Sequence, residues 1–236
     1  MNPKGAVLQQ PQLYFAVALA VSVVAFWPRL FSQLTTIDTA HLVHGLTATA
    51  WMAIPVVQAW LATHGRLKVH RYLGRIWLLI APVVVISGLH MVQLMILAYN
   101  QSREAYLLKF AFLDLLGMVL FVTFLALAVR SARKRQVAAH ARYMACTMLI
   151  ALEPSIERVF RFYVPGFDGF EKVLVPALIT MEVIALALLF ADWRRAKPVS
   201  PAYVAVLAFY VTGHAFATPV AGSPAFQKFS VWFATL

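Results

Sequence analysis

Charge and cysteine are what this chain has least of. Only 12% of its 236 residues are Asp, Glu, Lys or Arg, just nine residues are acidic, and Cys146 is the single cysteine. One cysteine excludes an intramolecular disulfide. Also missing are a low-complexity tract, a soluble linker and any convincing internal repeat. With 62% hydrophobic residues and a mean hydropathy of +0.77, so little charge excludes an ordinary soluble domain. The net charge of +11 does not point to nucleic acid, because the basic residues lie in short loops between apolar runs and form no basic face with interleaved aromatics. Their expected partner is the lipid bilayer.

What is present is a succession of long apolar runs: Leu13 to Leu30, His41 to Ala62, Tyr72 to Tyr99, Ala105 to Val129, Arg142 to Val164, Val173 to Ala191 and Ala202 to Ala221. Each is long enough, at about 1.5 Å per residue, for a hydrocarbon core of about 30 Å. The expected fold is all-α, one polytopic membrane helix bundle over residues 1–236 with seven transmembrane helices. Ahead of the first run the short segment carries only Lys4, and no small-residue cleavage site precedes Trp27-Pro28-Arg29, so a retained helix is expected. After Gly222, residues 222–236 place Phe226, Phe229, Trp232 and Phe233 beside Lys228, the pattern of an interfacial segment.

Alternate loops agree on orientation. Arg66, Lys68, Arg71 and Arg75 follow the second run, Arg130, Arg133, Lys134, Arg135 and Arg142 surround the end of the fourth, and Arg194, Arg195 and Lys197 follow the sixth. The positive-inside rule makes those loops cytoplasmic, with the amino terminus inside and the carboxyl terminus outside. Prolines recur within runs, at Pro55, Pro82, Pro154 and Pro176, where helix shaping is the ordinary role. Pro154, between Glu153 and Glu157, marks a place where local opening would carry function.

Depth counting then sorts the ionisable residues into layers. His44, His90, His214 and Glu157 fall near the outer side, Asp114, Glu153 and Glu182 near the middle, and His64, His70 and His140 at the cytoplasmic edge; His41 sits at a helix start. Such groups cost about 2.5–3.5 kcal/mol each inside a span and normally find partners there. Three chemistries suit the layers. His44, His90 and His214 with Glu157 supply the ligand types of a catalytic zinc or other transition-metal site, as in a zinc-dependent membrane hydrolase. Asp114, Glu153 and Glu182, with Arg158 as counter-charge, suit a proton or small-solute pathway. Facing imidazoles suit haem b, with electrons crossing the membrane to a redox partner.

Two resemblances bear on these readings. His44-Gly45, Gln58, the string His70-Arg71-Tyr72-Leu73-Gly74-Arg75, and His140 to Met144 followed by Arg158 resemble a bacterial family of multi-pass membrane proteins of unknown function, with HR-x-x-GR and H-x-x-x-M motifs. The likeness covers about residues 40–162, with Tyr143 standing where tryptophan is expected, and it implies a bacterial inner-membrane protein. A looser resemblance is to transmembrane di-haem b-type cytochromes, which implies cofactor binding by His44, His90, His70 and His140, with Arg71 beside a propionate. Gly45, Gly88 and Gly74 would then leave room for the flat macrocycle. An accessory or assembly subunit without catalysis is the remaining expectation.

Overall fold

The computed structural model describes residues 10–194 and 198–236; Lys4, Arg195 and Lys197 lie outside them. Among the described residues the regular structure is α-helical: α1 (Pro11–Phe26), a 3-10 turn at Phe31–Gln33, α2 (Thr39–Thr63), α3 (Leu67–Trp77), α4 (Ile80–Ser102), α5 (Ala105–Arg133), α6 (Val137–Tyr163), α7 (Phe170–Arg194), α8 (Pro201–Ala221) and α9 (Pro224–Phe233). Local chemistry sets several starts. Pro11, Pro201 and Pro224 open α1, α8 and α9, where a missing N–H costs nothing. Asp38 caps α2 by accepting from the His41 N–H at 3.1 Å, and Ser223 caps α9 by accepting from the Phe226 N–H at 3.2 Å.

The third apolar run is not one helix. It divides at Leu78 and Leu79 into α3 and α4. Pro82 has no N–H to give the Leu78 carbonyl, and its ring crowds that carbonyl, so the regular ladder stops there. Pro55, Pro154 and Pro176 lie within continuous α2, α6 and α7.

Five segments are long and apolar enough to cross a membrane: Thr39–Thr63, Leu67–Ser102 taken through its break, Ala105–Arg133, Phe170–Arg194 and Pro201–Ala221. Seven were expected; the other two runs fall outside this group for separate reasons. Helix α1 has 16 residues, about 24 Å at ~1.5 Å per residue, short of a full hydrocarbon core. Helix α6 has the length but carries His140, Arg142, Glu153, Glu157, Arg158 and Arg161. The spans keep large apolar side chains such as Ile86, Val119, Val183 and Phe190 exposed. Apolar surface on that scale calls for lipid or another apolar partner.

The helices form two compact units, one reaching Ser87 and one running Gly88–Leu236. In the first, α2 packs against α1 and α3. In the second, α6 contacts α5, α7 and α8, so the polar helix is flanked by three apolar ones. Glycine permits the close fit: a methyl at Gly213 of α8 would stand 2.5 Å from Leu113 Cδ2 of α5. Helix α9 folds back onto the second unit, where Phe226 and Phe233 pack on Val92, Ile96, Leu108, Ala111 and Ala221, and Gln93 Nε2 donates to the Phe233 carbonyl at 3.4 Å. Its Val231 and Trp232 remain exposed, so the tail has one packed and one open face.

Candidate functional site

The most unusual chemistry lies on α6. Glu153 and Glu157, four apart and so on one helical face, are 7% and 5% exposed. Each leaves one oxygen, Oε1, buried without a hydrogen-bond partner. Arg158 Nη1 lies 4.0 Å from Glu157 Oε2 and donates to the Pro154 carbonyl at 2.8 Å. Asp114 of α5 is within electrostatic reach of Arg158 and both glutamates. Tyr210 of α8, fully buried, donates to the Leu149 carbonyl at 2.9 Å and ties α8 to α6 near Glu153. The cluster is therefore three carboxyl groups against one guanidinium inside an apolar unit.

Other expected members of the layers go elsewhere. Glu182 of α7, counted with the middle carboxylates, meets His214 of α8, whose Nδ1 is 3.2 Å from Glu182 Oε1; their side chains are 19% and 38% exposed. His90 Nδ1 meets Gln93 Oε1, one turn along α4, at 3.2 Å. In the first unit His44 Nδ1 lies 3.1 Å from Ser87 Oγ, and exposed His41 Nδ1 lies 2.7 Å from Asp38 Oδ2. Among the described residues no group of three or more His, Cys, Asp or Glu is arranged to hold a metal ion.

The histidines expected at the cytoplasmic edge meet main chain. His70 Nδ1 is 3.1 Å from the Gln58 carbonyl, and His140 Nδ1 is 3.0 Å from the Ala128 carbonyl. With its nitrogen turned toward α3, the Gln58 amide donates to the His70 carbonyl at 3.1 Å, while its oxygen accepts from the Gly74 N–H at 3.2 Å. Gln58, His70 and Gly74, three residues of the sequence motif, thus lock α2 to α3. Arg71 Nε donates to the Leu67 carbonyl at 3.2 Å on the exposed face. The room expected beside Gly45 is filled by Leu30, whereas a methyl at Gly74 would meet the Gln58 amide only at an ordinary contact distance of 3.9 Å.

Sequence reading missed one strong contact. Arg142, expected beside a propionate or headgroup, forms an ion pair with Asp192 of α7 at 2.8 Å, the side chains being 19% and 8% exposed. Their separation along the chain left no local pattern to find. The Glu153/Glu157 pair, by contrast, was visible as an i,i+4 spacing in the most polar run.

These features define a class: an all-α protein with membrane-capable helices and a buried acidic cluster on a shielded polar helix. Compared with family models, curated proteins and solved structures, the chain matches none.

Proposed function

We propose that the protein is a multi-pass membrane protein whose second unit binds and passes protons. Glu153 and Glu157 form the exchangeable site, Asp114 is the adjoining relay group, and Arg158 is the counter-charge. The observation that carries this reading is the pair of buried glutamates on one face of α6, each with an oxygen that is buried and unpartnered. Groups left in that state inside an apolar unit are costly, and in membrane proteins they mark ion and proton paths. Under this reading α6 and α1 also cross the bilayer, with α6 shielded from lipid by α5, α7 and α8, and the loops keep the amino terminus inside a bacterial inner membrane.

Two measurements test it. Purified protein in liposomes holding a pH-sensitive dye acidifies the lumen when a potassium–valinomycin potential is imposed, and Glu153→Gln with Glu157→Gln lowers that rate at least tenfold. Wild-type liposomes no leakier than empty ones overturn the proposal. For topology, cysteines introduced at Ala132 and Gln101 label from opposite sides of the membrane, Ala132 from the cytoplasm. Buried Cys146 leaves the background low. The same experiment at Ala196 probes a position outside the described residues.

A second reading, haem b or a transition metal on His70 and His140, draws on one observation. A histidine whose Nδ1 is held by a carbonyl presents Nε2 at a fixed angle, as metal-ligating histidines do. The filled flank of Gly45 weighs against a flat macrocycle beside His44. A visible spectrum of protein from a haem-replete host decides it, and a colourless preparation ends it.

A further inference from the structure

The connections α2–α3 and α5–α6 repeat each other at an offset of 70 residues. Each first helix ends with a residue in the left-handed region, Gly65 at φ +70 and Arg135 at φ +59. The N–H groups of His64 and Lys134 return to the carbonyls of Trp60 and Arg130, both at 3.0 Å; those of Gly65 and Arg135 reach Ala62 and Ala132 at 3.3 and 3.0 Å; those of Arg66 and Gln136 reach Leu61 and Ser131 at 2.8 and 2.9 Å. Each second helix begins with the N–H of His70 or His140 bonded to the carbonyl of Arg66 or Gln136, at 3.0 and 2.9 Å. Each histidine ring then reaches the carbonyl twelve residues earlier, Gln58 or Ala128.

Residue identity conceals this match. From Gln58 to His70, only Ala62 and His70 find the same residue in the other copy. The basic residues do not correspond either: those of the first copy cluster at and after the turn, and those of the second before and at it. Shared lipid or propionate binding would preserve charge, whereas the feature preserved is the backbone course and the histidine that closes it.

We infer that the chain contains one helical hairpin twice, and that His70 and His140 are its positioning residues, acting through Nδ1. The ring nitrogen bonded to the preceding helix holds the second helix at its exit angle. In the first copy the Gln58 amide adds a second tie; in the second copy the methyl of Ala128 has no amide to offer. The inference goes beyond the proton reading. It also constrains the metal reading, since Nδ1 is spent on the hairpin and an ion at either histidine would be met by Nε2.

The test uses the two amides as atom-by-atom substitutes. The asparagine amide branches from Cγ, as Nδ1 does, whereas the glutamine amide lies one bond further out, toward the place of Nε2. Thermal unfolding of the full chain in detergent, with amide exchange read over residues 134–140, is compared for wild type, His140→Asn, His140→Gln and His140→Ala. Asparagine keeps the wild-type midpoint and protection, while glutamine and alanine lower the midpoint by about 2–4 °C and speed exchange roughly fivefold. At position 70 the same series gives smaller shifts, because Gln58 still ties the turn. Glutamine substituting as well as asparagine, alanine behaving as wild type, or all three variants falling equally each overturns the inference. The haem reading fails separately, on a colourless wild type, and leaves this comparison standing.

Discussion

The rim of the protein and the centre of its second unit treat ionisable groups in opposite ways. At the rim, Asp38 meets His41, His70 and His140 meet carbonyls, and Arg142 meets Asp192. At the centre, Glu153 and Glu157 lie on one helical face and each keeps a bare oxygen. Rim partners repay burial or fix a turn; the central pair repays little and, under the proposed reading, binds a proton that can leave. A protein that retains such a pair at the cost of stability retains it for another reason, and function is the usual one.

The comparison breaks first at the strongest rim contact. Asp192→Ala leaves the Arg142 guanidinium largely buried without its carboxylate, a change that costs roughly 3 to 5 kcal/mol for a buried pair. The lower end is expected here, because Arg142 is still 19% exposed. Arg142→Met with Asp192→Leu removes both charges and recovers most of the loss. Denaturation in mixed detergent reads both, and an Asp192→Ala protein as stable as wild type would show the ion pair to be incidental.

The centre responds in the opposite direction. Glu153→Met with Glu157→Met removes two unsatisfied oxygens and fills the space with flexible apolar side chains, so unfolding becomes harder by about 1 to 4 kcal/mol. Proton flux stops in the same protein. Stability and flux therefore part company at the centre, and a double variant that loses both is evidence that the glutamates are structural.

The rim also contains strain that can be relieved. Arg135 adopts the left-handed backbone that glycine supplies at the equivalent Gly65, at a cost of about 1 to 2 kcal/mol for a residue with a Cβ. Arg135→Gly returns about 1 kcal/mol of that, allowing for the freedom glycine adds to the unfolded chain. A thermal midpoint that falls instead would show that the arginine side chain has a partner worth more than the strain.

Legibility from sequence follows range. Apolar runs and basic loops are written locally, so the helical, membrane-compatible architecture was readable; the i,i+4 spacing of Glu153 and Glu157 was also written locally, but depth counting assigned the two to different layers. The break at Leu78 was written as Pro82, but membrane helices commonly bridge proline, and nothing local distinguishes a kink from a stop. Contacts between distant helices, such as Asp192 with Arg142 and Glu182 with His214, were not readable, because depth along a span says nothing of which helix is adjacent. The repeated hairpin escaped for another reason. It is conserved in hydrogen bonds and backbone angles, while almost every side chain differs.

The smallest effect belongs to the most exposed rim contact, and acid tests it. The His41 N–H beside Asp38 holds its carboxyl below the ordinary carboxylate range, with the His41 ring adding to the effect. A carboxyl whose folded value is depressed stabilises the fold fully above its unfolded value, near about 4. That contribution is lost as pH falls through the lower folded value. Asp38→Ala removes the cap of α2 at every pH, whereas Asp38→Asn keeps a capping oxygen that does not titrate. Wild type and Asp38→Asn should therefore differ slightly at neutral pH and converge as the medium is taken below pH ~4, with Asp38→Ala below both throughout. Amide exchange at His41 resolves so local a change where global unfolding does not. If wild type and Asp38→Asn keep a constant difference through the acid range, the carboxylate's charge contributes nothing to the cap, and the distinction between satisfied rim and unsatisfied centre rests on Arg142 and the histidines alone.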